Sequence, residues 1–308
     1  MSTRTGTVKV GGVFVALLTP FDTQGAIDVR ALTDLVDGLV AAGVDGLVAL
    51  GTTGEFADLT GDERRLVTDV TVAAARGRVP VMVGVGALGT SDACSYAEQA
   101  EHAGADAVLS LPPLFWKLDD ARLFAHFAAV AAATALPVLL YDIPLFAGAS
   151  LSPQLVRRVA AELPSVIGIK LTVSDFRSVS EVLAAVKPVR PDFSVTVGFE
   201  DLALSAMLAG GDGVISGMAN FCAPTLLQLV AAVRRGDLPD AVAAHQEVMR
   251  LFPVYFQSNP PILALKMLSR ELGVRIGPVV RTPVHEDPDV LQRVGAWVGS
   301  RITEGTLS

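Results

Sequence analysis

Ala41-Ala-Gly-Val-Asp-Gly-Leu-Val-Ala-Leu50 is the stretch on which the fold turns: the alanine-rich end of a helix, a glycine, an aspartate turn, then an apolar run of strand length. Glycine suits the left-handed residue that closes a helix, and a short turn then launches the strand. The same order recurs at Glu101-His-Ala-Gly-Ala-Asp-Ala-Val-Leu-Ser110 and at Leu208-Ala-Gly-Gly-Asp-Gly-Val-Ile-Ser-Gly217. The recurrence is the signature of a βα repeat.

Outward from these stretches, short β-branched runs alternate with Ala-rich amphipathic segments, the pattern of an α/β protein whose parallel strands are covered by helices. Strands are expected at Val13–Leu18, Gly46–Leu50, Val79–Val83, Ala107–Leu111, Val138–Tyr141, Val166–Lys170, Phe193–Val197 and Gly213–Ser216. Eight such units, with no Gly-x-Gly-x-x-Gly turn after the first strand, point to closure into a (β/α)8 barrel. The repeat by itself leaves an open doubly wound sheet possible. Helical segments near 224–235, 237–256 and 260–272 exceed the single helix that closes a barrel. The expected organisation is a barrel core over 1–223, with the last barrel helix and a C-terminal helical extension of the same domain over 224–308. Glu304–Ser308 is expected to be loose.

Composition narrows the function. Of 308 residues, 51% are hydrophobic and 18% charged, and the apolar runs are too short to cross a bilayer. Val13–Leu18 lacks the length of a secretion signal and is followed at once by Thr19-Pro20-Phe21. A net charge of -8, from 24 basic and 32 acidic residues scattered along the chain, lacks the basic footprint of a nucleic-acid binder. Cys94 and Cys222 are too few for a disulfide framework, so a cytoplasmic, reducing compartment is expected. No partner membrane or nucleic acid is expected, and small-molecule chemistry remains.

In a barrel, chemistry sits where strands end. In Val166-Ile-Gly-Ile-Lys170 the period-two alternation puts Val166, Gly168 and Lys170 on one face. Lys170 can therefore face the barrel mouth, where apolar surroundings favour the neutral amine that attacks a ketone. A strand-end lysine reaching for water is the competing reading. Val138-Leu-Leu-Tyr141 puts a phenol on the neighbouring strand, either to shuttle protons or to hydrogen-bond as any buried tyrosine does. Leu50-Gly-Thr-Thr-Gly-Glu55 offers backbone N–H groups and the Thr52 and Thr53 hydroxyls to a carboxylate, and Thr60-Gly-Asp-Glu63 makes a capping box for the next helix. His102, His126, His245 and His285 show no metal-binding spacing and are expected to be ordinary helix or surface residues. The pair Glu200-Asp201 can hydrogen-bond a polyol or start a helix.

Together these motifs resemble the dihydrodipicolinate synthase/N-acetylneuraminate lyase family of class I aldolases over nearly the whole chain. The resemblance rests on Gly51-Thr-Thr-Gly-Glu55, Tyr141-x-x-Pro144, Gly168-Ile-Lys170, Gly198 and Gly211-Asp-Gly-Val-Ile-Ser216. It implies a TIM barrel with a C-terminal helical extension, a homotetramer, and a lyase that needs neither metal nor organic cofactor. By resemblance Lys170 is the Schiff-base lysine, Tyr141 the proton relay, and Thr52 with Thr53 the binders of the carboxylate of a 2-keto acid. Phe146 stands where the synthases carry an arginine, and Leu114-Phe115 where a tyrosine pair is usual. Trp116-Lys117 and Gly198-Phe-Glu-Asp201 resemble bacterial 2-keto-3-deoxygluconate aldolases, which makes Thr172, Gly198, Glu200 and Ser216 candidates for sugar contacts. The expected activity is cleavage of a 2-keto-3-deoxy sugar acid to pyruvate and an aldehyde. A sugar-acid dehydratase, a dihydrodipicolinate synthase-like condensing enzyme and a catalytically weakened keto-acid sensor are the alternatives.

Overall fold

The computed structural model describes residues 8–281 and 288–303. Eight strands run Gly12–Ala16 (β1), Gly46–Ala49 (β2), Val81–Gly84 (β3), Ala107–Ser110 (β4), Val138–Asp142 (β5), Val166–Leu171 (β6), Ser194–Val197 (β7) and Gly213–Ser216 (β8). Each pairs in parallel with the next, and β8 pairs with β1, so the sheet closes into a barrel with helices between successive strands. All eight expected strands are present, with ends within two residues of those expected.

The repeated Gly and Asp have distinct tasks in this closure. Gly43, Gly104 and Gly210 hold φ values of 88°, 82° and 101°, a left-handed turn that reverses the chain out of each helix. The aspartates then clamp the sheet edge. Asp45 accepts from Val13 N, Asp106 from Val81 N and Asp212 from Val195 N, each at 2.8 Å, which ties the start of one strand to the turn that feeds its neighbour. At the floor of the barrel the Phe14 ring occupies the space that a Cβ on Gly46 would take, 2.2 Å from the ring. Large and small side chains fill the interior layers in this way.

Several differences between expectation and structure trace to particular residues. Strand pairing in β1 stops at Ala16, yet Leu17 N still donates to Val48 O, and Leu18 N donates to the side chain of Asn220. The helix expected from 224 begins at Ala219 and accommodates Pro224 through a non-helical Cys222. The stretch expected as one helix over 237–256 divides into Leu238–Leu251 and a 3-10 turn, Phe252–Phe256. Pro253 at that junction has no N–H to continue the α-helix. Helix Ile262–Glu271 matches expectation, and helix Pro288–Thr303 lies within the expected extension, beyond the segments placed there. Among the described residues no helix is long and apolar enough to cross a membrane. The expectation for Glu304–Ser308 lies outside the described residues, as does that for His285.

Candidate active site

Lys170 and Tyr141 lie opposite each other in the β5–β6 register, near the C-terminal ends of the two strands. Both are buried, 4% and 2% exposed, and Lys170 Nζ sits 4.3 Å from the centre of the Tyr141 ring. No carboxylate forms an ion pair with Lys170 among the described residues, and the Tyr141 ring face is a close neighbour of its Nζ. Tyr141 OH lies 3.3 Å from Thr52 Oγ1. A cavity of about 1180 Å³ opens over this cluster and is lined by Thr52, Thr53, Tyr141, Lys170, Thr172 and Gly198, among others. Gly198 is required there by space. A Cβ at this position would come within 1.9 Å of Thr172 Oγ1 and 3.0 Å of Lys170 Cε, closing the approach to the amine.

The turn that presents Thr52 and Thr53 is held under backbone strain. Leu50 and Glu55, which bracket it, have φ of 56° and 55°, a region that costs a non-glycine residue free energy and persists only where the surroundings impose it. Those surroundings are visible. Thr19 Oγ1 donates to Gly54 O at 2.7 Å, and Glu55 forms a fully buried ion pair with Lys266 at 2.6 Å. Glu55 also accepts from Arg281 N at 2.7 Å, and Lys266 donates to Val279 O at 2.7 Å. Burial pulls the Lys266 ammonium down to about 8 against the pull of Glu55. Removing one member of such a pair strands the other's charge. Lys266→Met is therefore expected to cost about 3–5 kcal/mol, with most of the loss recovered in the double variant Glu55→Gln, Lys266→Met, as measured by urea unfolding.

Asp142 follows Tyr141 and faces the opposite side of the sheet, where it accepts from Ser150 Oγ and Leu151 N, both at 3.2 Å. This clasp anchors the loop carrying Leu145 and Phe146. Burial pushes its carboxyl from 3.8 up to about 6. The folded chain thus holds this proton more tightly than the unfolded chain, so the contribution of Asp142 to stability is fully present below about pH 4 and is lost as pH rises through 6. Asp142→Asn is expected to abolish that slope and to raise stability near pH 8 by up to ~3 kcal/mol, as compared in urea melts at the two pH values.

Glu200 and Ser216 are not on the cavity wall. Both are fully buried behind it, and Glu200 Oε1 accepts from Ser216 Oγ, Met218 N and Tyr255 OH, the last at 3.0 Å. Burial drives the Glu200 carboxyl upward. Expected as sugar contacts, these two side chains here brace the turn after β7 and the Tyr255 hydroxyl. Asp201, the other half of the acidic pair, does line the cavity. Its Oδ1 has no partner, and Thr172 Oγ1 is likewise unpaired.

Leu114 and Phe146 also reach the cavity, whereas Phe115 and Trp116 project into solvent, 73% and 67% exposed. Arg293, from helix Pro288–Thr303, lines the cavity as its second basic residue. His126 is buried between Thr90 Oγ1 and Leu111 O, with burial pulling its imidazole downward. Among the described residues no group of three or more His, Cys, Asp or Glu side chains could hold a metal ion.

Sequence reasoning missed Tyr255, Lys266 and Arg293, which come from the extension and meet the barrel only through folding. Asp201 was visible in the sequence, but only its place on the wall separates it from Glu200.

Comparison with known proteins adds to this geometry. The model of the "Dihydrodipicolinate synthetase family" matches residues 9–293. The chain is 33% identical over 278 residues to "Probable 2-dehydro-3-deoxy-D-pentonate aldolase YjhH" of Escherichia coli K12, covering 90% of this chain and 92% of that one. It is 34% identical to the 4-hydroxy-tetrahydrodipicolinate synthase of Bacillus subtilis 168, over 91% of this chain and 96% of that one. The crystal structure of the E. coli K12 protein YagE in complex with pyruvate superposes with a TM-score of 0.91 at 30% identity, covering 96% and 99% of the two chains.

Proposed function

The chain belongs to the dihydrodipicolinate synthetase family and is a carbon–carbon lyase of the class I aldolase type, and from that premise we propose that Lys170 forms an imine with the keto carbon of a 2-keto acid. The observation that carries the reading is the buried Lys170 amine, 4.3 Å over a tyrosine whose hydroxyl meets Thr52. An amine so placed is in no ion pair among the described residues and has an open cavity beside it. Thr52 and Thr53, with the N–H groups of their turn, receive the carboxylate.

Attack of Lys170 Nζ on the ketone and loss of water give the protonated imine, an electron sink at C2. Tyr141 relays the proton of the C4 hydroxyl, receiving it as it passes its own toward Thr52, while the C3–C4 bond breaks and the aldehyde leaves. The enamine takes a proton at C3, and water hydrolyses the imine to release pyruvate and free Lys170. The imine itself supplies the electron sink, so the scheme calls for no metal or organic cofactor.

Likeness to YjhH and YagE supports a 2-keto-3-deoxy sugar acid as substrate, and Thr172 and Asp201, both on the cavity wall, are the residues we assign to its hydroxyls. Likeness to the Bacillus synthase supports a condensing reaction instead, and Arg293 is the residue that would hold a second carboxylate where Phe146 cannot. Product analysis separates these readings: pyruvate released from 2-keto-3-deoxy acids supports cleavage, a dehydrated product supports a dehydratase, and pyruvate consumed with an acidic semialdehyde supports condensation. A pyruvate adduct without turnover on any of them would leave the sensor reading.

The proposal includes a cytoplasmic homo-oligomer, a tetramer by family likeness. Exposed Leu88, Phe115 and Trp116 are apolar surface that assembly would cover, and both cysteines are free thiols. Sedimentation in solution tests the assembly, and a monomer at micromolar concentration would exclude it.

A further inference from the structure

The turn that carries Thr52 and Thr53 is set from two sides. On the Leu50 side the barrel does it: a Cβ on Gly84 would come within 2.0 Å of Leu50 O, so the end of β3 lies directly against the start of the turn. On the Glu55 side the grip comes from the C-terminal extension. Glu55 Oε1 accepts from Lys266 Nζ at 2.6 Å and Glu55 Oε2 from Arg281 N at 2.7 Å, residues 211 and 226 positions further along the chain. Lys266 Nζ also donates to Val279 O at 2.7 Å, which ties the three segments to one another.

The hold continues past the turn. Arg281 Nη2 donates to Glu63 Oε1 at 2.6 Å and its Nε to Gly25 O at 2.8 Å, and Glu63 completes the capping box with Thr60 at the head of helix Gly61–Ala75. The extension thus grips the chain at both Glu55 and Glu63. Both cations lie over the Phe21 ring, with Lys266 Nζ 4.2 Å and Arg281 Cζ 4.9 Å from its centre. Helix Ile262–Glu271, which carries Lys266, also sends Ile262 and Leu265 to the cavity wall.

Stability alone does not account for this arrangement. A buried ion pair is often no more stabilising than well-packed apolar side chains of the same volume, because both ions lose their water. What it adds is direction, since charge-assisted hydrogen bonds hold donor and acceptor in a defined geometry. Two of them hold Glu55 at a φ of 55°, a left-handed conformation that non-glycine residues rarely adopt, and Thr53 is two residues away. We infer that Glu55, Lys266 and Arg281 are positioning residues for the keto-acid carboxylate: through them the C-terminal extension fixes where Thr52 and Thr53 stand, and so the preference of the site for a carboxylate beside the keto carbon. The inference rests on the Lys170 imine and the Thr52 and Thr53 contact proposed above.

The test uses the whole protein and two probes, pyruvate and methyl pyruvate, which share the ketone and differ in the charge of the carboxyl group. The concentration of each that gives half-maximal trapping on Lys170 by cyanoborohydride is read by intact mass spectrometry. The wild-type protein is expected to prefer pyruvate. In the double variant Glu55→Gln, Lys266→Met, in which no buried charge is stranded, that preference is expected to fall about tenfold, the worth of one hydrogen bond to a charged group, while trapping at saturation changes little. A double variant that keeps its fold and the full preference overturns the inference, because a pair with a structural role alone would behave in that way. Arg281→Met leaves the Glu55–Lys266 pair in place and frees only the partly exposed Glu63, so it decides the matter where the double variant does not fold. A lowered preference in that variant supports the inference and an unchanged one overturns it. No adduct on Lys170, or a wild-type protein indifferent to the carboxylate, defeats the underlying reading together with the inference, whereas a wild-type preference that survives in the variants defeats the inference alone.

Discussion

Lys170→Ala is expected to eliminate the borohydride-stable pyruvate adduct and to reduce turnover to background, a loss on the order of 10⁶-fold, the scale on which deletion of a covalent nucleophile acts. The reason is geometric. Lys170 is a buried amine on the cavity wall, and the Tyr141 ring lies 4.3 Å from its Nζ. Arg293, the other basic cavity residue, carries a guanidinium, which stays protonated and makes no imine. Folding should survive the change, because the substitution breaks no ion pair of Lys170. The melting temperature is thus expected to stay the same or rise. Intact mass spectrometry after reduction with pyruvate, beside a thermal melt, checks both halves. A full-strength adduct in the variant would move the imine to another residue.

Tyr141→Phe is expected to lower kcat by about 10²–10⁴-fold, the usual worth of a positioned acid or base, while leaving the reduced pyruvate adduct on Lys170 detectable. Phenylalanine keeps the ring under the amine and removes only the hydroxyl that meets Thr52 at 3.3 Å. Binding of the carboxylate by Thr52 and Thr53 persists, so KM should change little. A Thr53→Val variant should act in the opposite sense, raising KM for the keto acid more than it lowers kcat, since the carboxylate is bound alike in the ground and transition states. Steady-state kinetics on both variants decides the assignment. Equal losses in kcat and KM for the two would show that neither has a separable role.

Much of the barrel was legible in the sequence because its determinants are local. The glycines at 43, 104 and 210 and the aspartates at 45, 106 and 212 recur at the same place in each unit, and each acts on a turn of a few residues. The strand ends were less legible. Asn220, more than 200 positions along the chain, completes the hydrogen bonding of Leu18 after strand pairing has stopped. The capping box at Thr60 and Glu63 was legible and is formed, since both partners lie within one helical turn.

For the site, the sequence by itself determined which face of β6 carries Lys170, that Tyr141 sits on the adjacent strand, and that Thr52 and Thr53 lie in a tight turn after β2. Period-two alternation and strand order are enough for that. Only the tertiary structure decided the rest. Glu200 and Asp201 are neighbours in the 3-10 turn Glu200–Leu202, yet Glu200 is fully buried and off the cavity wall while Asp201 lies on it. Lys266 is 211 residues from Glu55, and Tyr255 is 55 residues from Glu200. Such pairs leave no periodic trace in the chain, and they form because the helical extension packs across the barrel mouth, where burial makes an unpartnered charge or hydroxyl costly.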